Sequence, residues 1–291
     1  MQKCNRCGRL CNANRTEIEN KDGFCQMPLL PKVSKASLHF WEEPCISGQK
    51  GSGTVFFSGC SLRCVFCQNF EISHGGKGKQ ISYERLAEIF YELEQKGAHN
   101  INLVNPTHYI DAIKKALDIY KPKIPIVYNS GGFDNIDVAE LDFIDVYLFD
   151  LKFKNNEKAI KYAAADGYFD TATRVIKAAH DRICKPLFSQ DGIMQKGVII
   201  RHLLLPSSTN DAIEIIDWAE ANCNNAVFSL MSQYLPFGNA EKYKELNRRI
   251  TKREYDKVCN HLAEKNFFDV YIQDMTSSSE EYIPSFDFEG V

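Results

Sequence analysis

From Ser82 to Ile272 the chain repeats one unit, an amphipathic stretch of helical period followed by a short continuous apolar run. A run without polar alternation is a strand buried on both faces, and helices between successive strands force parallel pairing through crossovers. Ser82 is the candidate N-cap of a helix over 82–95, with Leu86, Ile89, Phe90 and Leu93 on one face and Gly97 ending it. Strands are expected at 54–57, 101–104, 124–128, 144–149, 197–205 and 226–230, with a weaker seventh at 269–272. Helices are expected over 109–120, 138–141, 156–164, 168–185, 211–222 and 251–264, the last opened by a capping box of Thr251 and Glu254. The fold class is therefore α/β, with fewer strands than the eight of a closed TIM barrel.

Before this alternation the chain reads differently. Pro28, Pro31 and Pro44 make residues 26–50 irregular, with 38–44 expected as a short strand or a cover over the barrel mouth. Cys4, Cys7, Cys11 and Cys25 follow the pattern C-x2-C-x3-C-x13-C with little apolar sequence between them. So short a segment cannot bury enough surface to fold alone, and a metal supplies the missing energy. Thiolate-only ligation suits zinc or a second iron–sulfur cluster equally. The expected organisation is a Cys-rich segment and linker over 1–49, a barrel over 50–275 and a tail over 276–291 that docks back on the body.

The chain has 291 residues, a net charge of −3 and eleven cysteines. That charge gives no general attraction to nucleic acid or anionic lipid. Arg248, Arg249, Lys252 and Arg253 cluster around a helix start and read as a solvated face. No apolar run approaches transmembrane length, and the first residues lack the apolar core of a secretory signal. A cytoplasmic protein with neither membrane nor nucleic-acid partner is expected. In a reducing compartment, clustered cysteines bind metal or do chemistry more often than they form disulfides.

Directly after the first strand, Ser58-Gly59-Cys60-Ser61-Leu62-Arg63-Cys64-Val65-Phe66-Cys67 places three cysteines at C-x3-C-x2-C. Thiolates are the usual ligands of iron–sulfur clusters, and three local ligands leave one iron of a 4Fe-4S cluster open. The alternative from spacing alone is a zinc site or three unrelated buried cysteines. With Phe57, Gly59 and Phe66 around it, the stretch resembles the signature of the radical SAM superfamily. That resemblance implies a partial (β/α)6 barrel and S-adenosylmethionine (SAM) chelated to the open iron. It also implies reductive cleavage of SAM to methionine and a 5′-deoxyadenosyl radical, with an electron donor such as flavodoxin or ferredoxin.

Working residues in parallel α/β folds stand where strands end. Those positions hold Asn105 and Thr107, then Asn129 and Ser130, Asp150 and Lys152, Arg201, and Gln233. These polar groups suit a zwitterion and a nucleoside, and are the candidate cofactor-binding set. Phe56-Phe57-Ser58-Gly59-Cys60, Asp150-Leu151-Lys152 and Ile200-Arg201 also resemble the activating enzymes of glycyl radical enzymes. That similarity implies Lys152 and Arg201 on SAM, and a monovalent cation held by Asp150 with Asn129-Ser130. It also implies a glycyl radical enzyme as partner. The chain departs from the family where Asn105-Pro106-Thr107 replaces a Gly-Gly-Glu motif and Asn129-Ser130 replaces Asp-Thr. Other readings are a radical SAM enzyme acting on a small molecule or peptide, and a non-catalytic iron–sulfur or zinc protein.

Overall fold

A computed structural model describes residues 2–19, 22–275 and 284–291. Its centre is a curved sheet whose parallel strands are β4 (Ser52–Phe57), β6 (Ile101–Val104), β7 (Ile126–Ser130), β8 (Val146–Asp150), β10 (Met194–Leu203), β11 (Val227–Met231) and β12 (Asp269–Ile272), adjacent in that order. β12 ends the path on one side, so the barrel is partial and open. Helices α1 (Tyr83–Gln95), α2 (Ile110–Ile119), α3 (Asn156–Ala163), α4 (Tyr168–Ile183), α5 (Thr209–Cys223) and α6 (Lys252–Ala263) fill the crossovers, except that only a 3-10 turn, Val138–Leu141, joins β7 to β8. Ser82 accepts from the Arg85 backbone at the start of α1, and the Thr251–Glu254 capping box opens α6.

The strands bury both faces. Tyr147 and Phe149 of β8 join the core shared with the helices, whereas Val146 and Leu148 join a separate interior cluster with Val127, Ile199 and Val227. Cys45 and Ile46, on the short helix Pro44–Ser47, plug that interior from below, so Cys45 is a packing residue.

Strand β7 ends two residues later than the apolar pattern placed it, β8 and β11 end one residue later, and β10 ends two residues earlier. Asn129, Ser130 and Asp150 pair within the sheet (Asn129 with Val104, Ser130 with Phe149, Asp150 with Arg201), and backbone pairing extends into polar sequence that hydropathy had marked as loop. The larger difference lies upstream. Lys32–His39 forms an eight-residue strand, β3, antiparallel to β4. Pro28 and Pro31 precede it rather than interrupt it, and the main sheet therefore takes in residues assigned to the N-terminal segment. Two-residue β5 (Lys79–Gln80) borders one end of β3, and β9 (Leu187–Phe188) pairs with the start of β10.

Residues 284–291 lie along the rest of β3. The Ala36 amide donates to the Glu289 carbonyl at 2.8 Å, and the Phe288 amide donates to the Ser34 carbonyl at 3.1 Å. Lys35 pairs with Asp287 and Glu289, and Phe286 packs edge-on to Phe56. Residues 276–283 of the expected tail lie outside the described residues. At the other end, β1 (Gln2–Cys4) and β2 (Ala13–Arg15) form a hairpin against the barrel rim. Among the described residues no helix is long and apolar enough to cross a membrane.

Candidate active site

Side chains alternate between faces along a strand, so each interior column continues two residues further on. Val127 is followed by Asn129, Leu148 by Asp150, Ile199 by Arg201, Val227 by Ser229 and Met231. The lower members fill the apolar plug and the upper members are mostly polar. A cavity of about 210 Å³ opens above them, lined by Asn129, Asp150, Arg201 and Met231 on these strands. The strand tips thus become a binding floor because polarity changes at one level across the barrel.

Cys60, Cys64 and Cys67 line the same cavity from the loop after β4. Gly59 makes the entry turn at φ +84°, and a Cβ there would come within 2.3 Å of the Met27 side chain, so no larger residue fits. The loop is pinned by Phe66, which packs against Phe153 and Tyr234, and by the Val65 amide donating to the Tyr162 carbonyl. Two donors face the sulfurs: the Leu62 amide lies 3.3 Å from Cys60 Sγ and the Ser73 hydroxyl 3.4 Å from Cys67 Sγ. Burial pushes the Cys67 thiol up to about 11 and the Cys64 thiol higher still. Binding metal as thiolates therefore releases protons. The donor set, three thiols with amide and hydroxyl donors on one cavity wall, fits an iron–sulfur cluster. Among the described residues no three His, Cys, Asp or Glu side chains converge on a single-ion site.

Opposite the cysteines stands a buried charge network. Asp150 accepts from Lys152 Nζ at 2.6 Å and from Arg201 Nε at 2.7 Å. Burial opposes its ionisation, but Arg201 and Lys152 outweigh that and hold the Asp150 carboxyl down to about 2. Burial also works against the Lys152 charge; the Asp150 carboxylate is the main group that overcomes it and raises the pKa above the usual lysine value. Arg201 donates further to Glu42 at 2.6 Å and to the side-chain Oδ1 of Asn129 at 2.8 Å. Glu42 in turn accepts from the side-chain amides of Asn129 and Asn102. Burial raises the pKa of neighbouring Glu43, whose Oε2 lies 3.6 Å from Arg201 without a hydrogen bond. Lys152 and Arg201 thus face the Asp150 and Glu42 side chains, which suits the carboxylate and ammonium of a zwitterion.

Glu42 escaped the sequence reading. It comes from the arm between β3 and the Pro44–Ser47 helix, with no motif around it, and its nearest signal is that this arm was expected to cover the barrel mouth. His39 and Trp41 of the same arm also line the cavity, and Trp41 is 60% exposed at its rim. Asn105 and Gln233 border the cavity as expected. Thr107 does not. The chain turns at Asn105 (φ +58°), and Thr107 is buried beneath, donating to Asp134 at 2.8 Å. Ser130 borders the cavity, but its hydroxyl also donates to Asp134. Of the groups expected around a monovalent cation, Asp150 bonds Lys152 and Arg201, Asn129 bonds Arg201 and Glu42, and Ser130 bonds Asp134. Cys4, Cys7, Cys11 and Cys25 line one separate pocket, bordered by Ser61 of the Cys60 loop and by Thr107.

The sequence profile of the Radical SAM superfamily matches residues 54–219, more than half of the chain. An uncharacterised protein of Methanocaldococcus jannaschii is 34% identical over 281 residues, covering 92% of this chain and 76% of that protein. SuiB of Streptococcus suis in complex with S-adenosylmethionine superposes with a TM-score of 0.54 at 14% identity, covering 77% of this chain and 50% of SuiB. SuiB bound to its precursor peptide SuiA gives 0.53 at 15% identity, covering 74% and 47%. This chain spans about half the length of SuiB, and at that identity the likeness shows the fold alone. The C-x3-C-x2-C loop, the partial barrel and the profile match agree, and the chain belongs to the radical SAM superfamily.

Proposed function

We propose that this protein is a radical SAM enzyme that takes a hydrogen atom from a peptide segment presented at the barrel mouth. The observation that carries it is the placement of Cys60, Cys64 and Cys67 across one cavity from Asp150, Lys152 and Arg201. When bound there, a 4Fe-4S cluster with SAM supplies, on one-electron reduction, a 5′-deoxyadenosyl radical that takes the hydrogen atom. The chain's own residues bind and orient. Cys60, Cys64 and Cys67 hold the cluster and leave one iron open. Lys152 and Arg201 are the cations for the SAM carboxylate. Glu42 and Asp150 offer carboxylates to its ammonium, so Glu42 makes good the acid missing at Asn105-Pro106-Thr107. Asn105 and Gln233 are neutral polar partners on the cavity wall. Apolar Leu62, Phe66 and Leu235 border the same space and limit water there.

The substrate class rests on the mouth. Trp41, 60% exposed, stands with His39 and Glu42 at the rim of the cavity, where a bound chain segment would pass. The SuiB fold also occurs bound to a precursor peptide, a property of that protein that agrees with this reading. A glycine backbone of a partner glycyl radical enzyme is one such segment, in keeping with Asp150-Leu151-Lys152. The electron donor would be of the flavodoxin or ferredoxin class.

Two experiments test this. Reductive SAM cleavage should be present in the cluster-loaded protein and absent when Cys60, Cys64 and Cys67 are changed to Ala; cleavage by the cluster-free variant would overturn the assignment. After incubation with candidate partners under reducing conditions, EPR should detect a persistent glycyl radical if the segment is a glycyl radical site. A modified peptide by mass spectrometry without that signal would select another peptide, and turnover of small molecules alone would remove the peptide reading.

A further inference from the structure

We infer that Cys4, Cys7, Cys11 and Cys25 bind a second 4Fe-4S cluster, set directly behind the loop that carries Cys60 and Cys64. All four thiols line one pocket, although they come from the β1–β2 hairpin, its turn and a separate loop. None is in a disulfide. The segment has almost no apolar core of its own: among its described residues up to Cys25, Ala13 is the one buried apolar side chain apart from glycine. Polar anchors hold it instead. Arg6 pairs with Asp111 and Glu140, Arg15 donates to the Met27 and His108 carbonyls, and Arg9 donates to Ser61 and Ala163. Three arginines surrounding four thiols fit an anionic centre. Four thiolates on a cluster core carry a net charge of about −2. Arg6 and Arg9 line this pocket, and the Arg15 guanidinium lies 3.7 Å from Cys4 Sγ.

The four thiols share one feature with the Cys60 triad. In neither set do three thiols converge on one point; in both they ring a pocket. A four-iron core asks for that wider spread, because each thiolate binds a different iron, whereas zinc draws its ligands to one centre. His108 borders the pocket with its Nε2 on the Ser58 carbonyl at 2.8 Å, and the four thiols are the anionic donors that line it.

The test uses the full chain reconstituted anaerobically with iron and sulfide. Wild type should hold about eight irons, and the C60A/C64A/C67A variant about four, with an EPR signal on reduction. C7S/C25S should likewise drop to about four while keeping the other cluster. Wild type with about four irons, or a triple variant that holds one zinc or no metal, would overturn the proposal. The wild-type count decides even if a variant fails to fold, and none of these readouts depends on the activity proposed above.

Discussion

Asp150 is the hinge of the charge network, and Asp150→Asn removes its charge while keeping its shape. Two estimates bracket the cost. The carboxyl is held at about 2 against an ordinary 3.8, which corresponds to about 2 kcal/mol. Because the folded-state pKa is depressed, this contribution is present above about pH 4 and disappears as pH falls through about 2. An assay at pH 7.5 therefore sees all of it. Independently, removing one partner of a buried ion pair costs about 3–5 kcal/mol. The low end applies here, since Arg201 keeps Glu42 at 2.6 Å and Asn can still accept one hydrogen bond. We expect Asp150→Asn to lower the unfolding free energy by about 2–3 kcal/mol, measured by anaerobic urea unfolding of the cluster-loaded protein. A double-mutant cycle with Lys152→Met should show a coupling of about 1 kcal/mol or more, given the 2.6 Å contact. A loss below about 0.5 kcal/mol, or a coupling near zero, would refute the view that this pair is a net stabilising element.

Other perturbations probe other parts. Glu42→Gln keeps hydrogen-bonding capacity but removes a carboxylate, and should weaken SAM binding about tenfold by calorimetry; unchanged or tighter binding would remove Glu42 from the ligand set. Gly290→Ala places a Cβ 2.1 Å from the Ala36 carbonyl at a φ of +72°, so residues 284–291 should detach from β3 and become open to limited proteolysis. An unaltered digestion pattern would contradict that. Thr251→Ala removes the capping box of α6 and should cost about 1 kcal/mol in urea unfolding.

The βα order was legible because each parallel strand must be apolar on both faces, a demand written locally in runs such as Val146-Tyr147-Leu148-Phe149. The upstream strand was not. Lys32–His39 scatters Val33, Ala36 and Leu38 among Lys, Ser and His without strict alternation, and its identity as a strand depends on β4 and on residues 284–291. The site shows the same division. Asp150 and Lys152 follow from counting strand ends, and Arg201, inside its strand, from the likeness of Ile200-Arg201 to the activating enzymes. Glu42 joins Arg201 across 159 positions, which no local pattern announces. Thr107 shows the converse limit: standing at a strand end does not say which way a side chain turns, and a positive φ at Asn105 sends it below the floor.

The pairing of β3 with residues 284–291 bears on how the molecule assembles. Lys35 meets Asp287 across 252 positions, so this contact closes one of the largest loops in the chain, and contacts of such span form slowly. Until they form, the outer edge of β3 at Ser34–Ala36 presents unpaired amides and carbonyls to any other strand in solution. The window for aggregation should therefore stay open until synthesis reaches Glu289. Dilute refolding, or a peptide matching residues 284–291 supplied in trans, should narrow it.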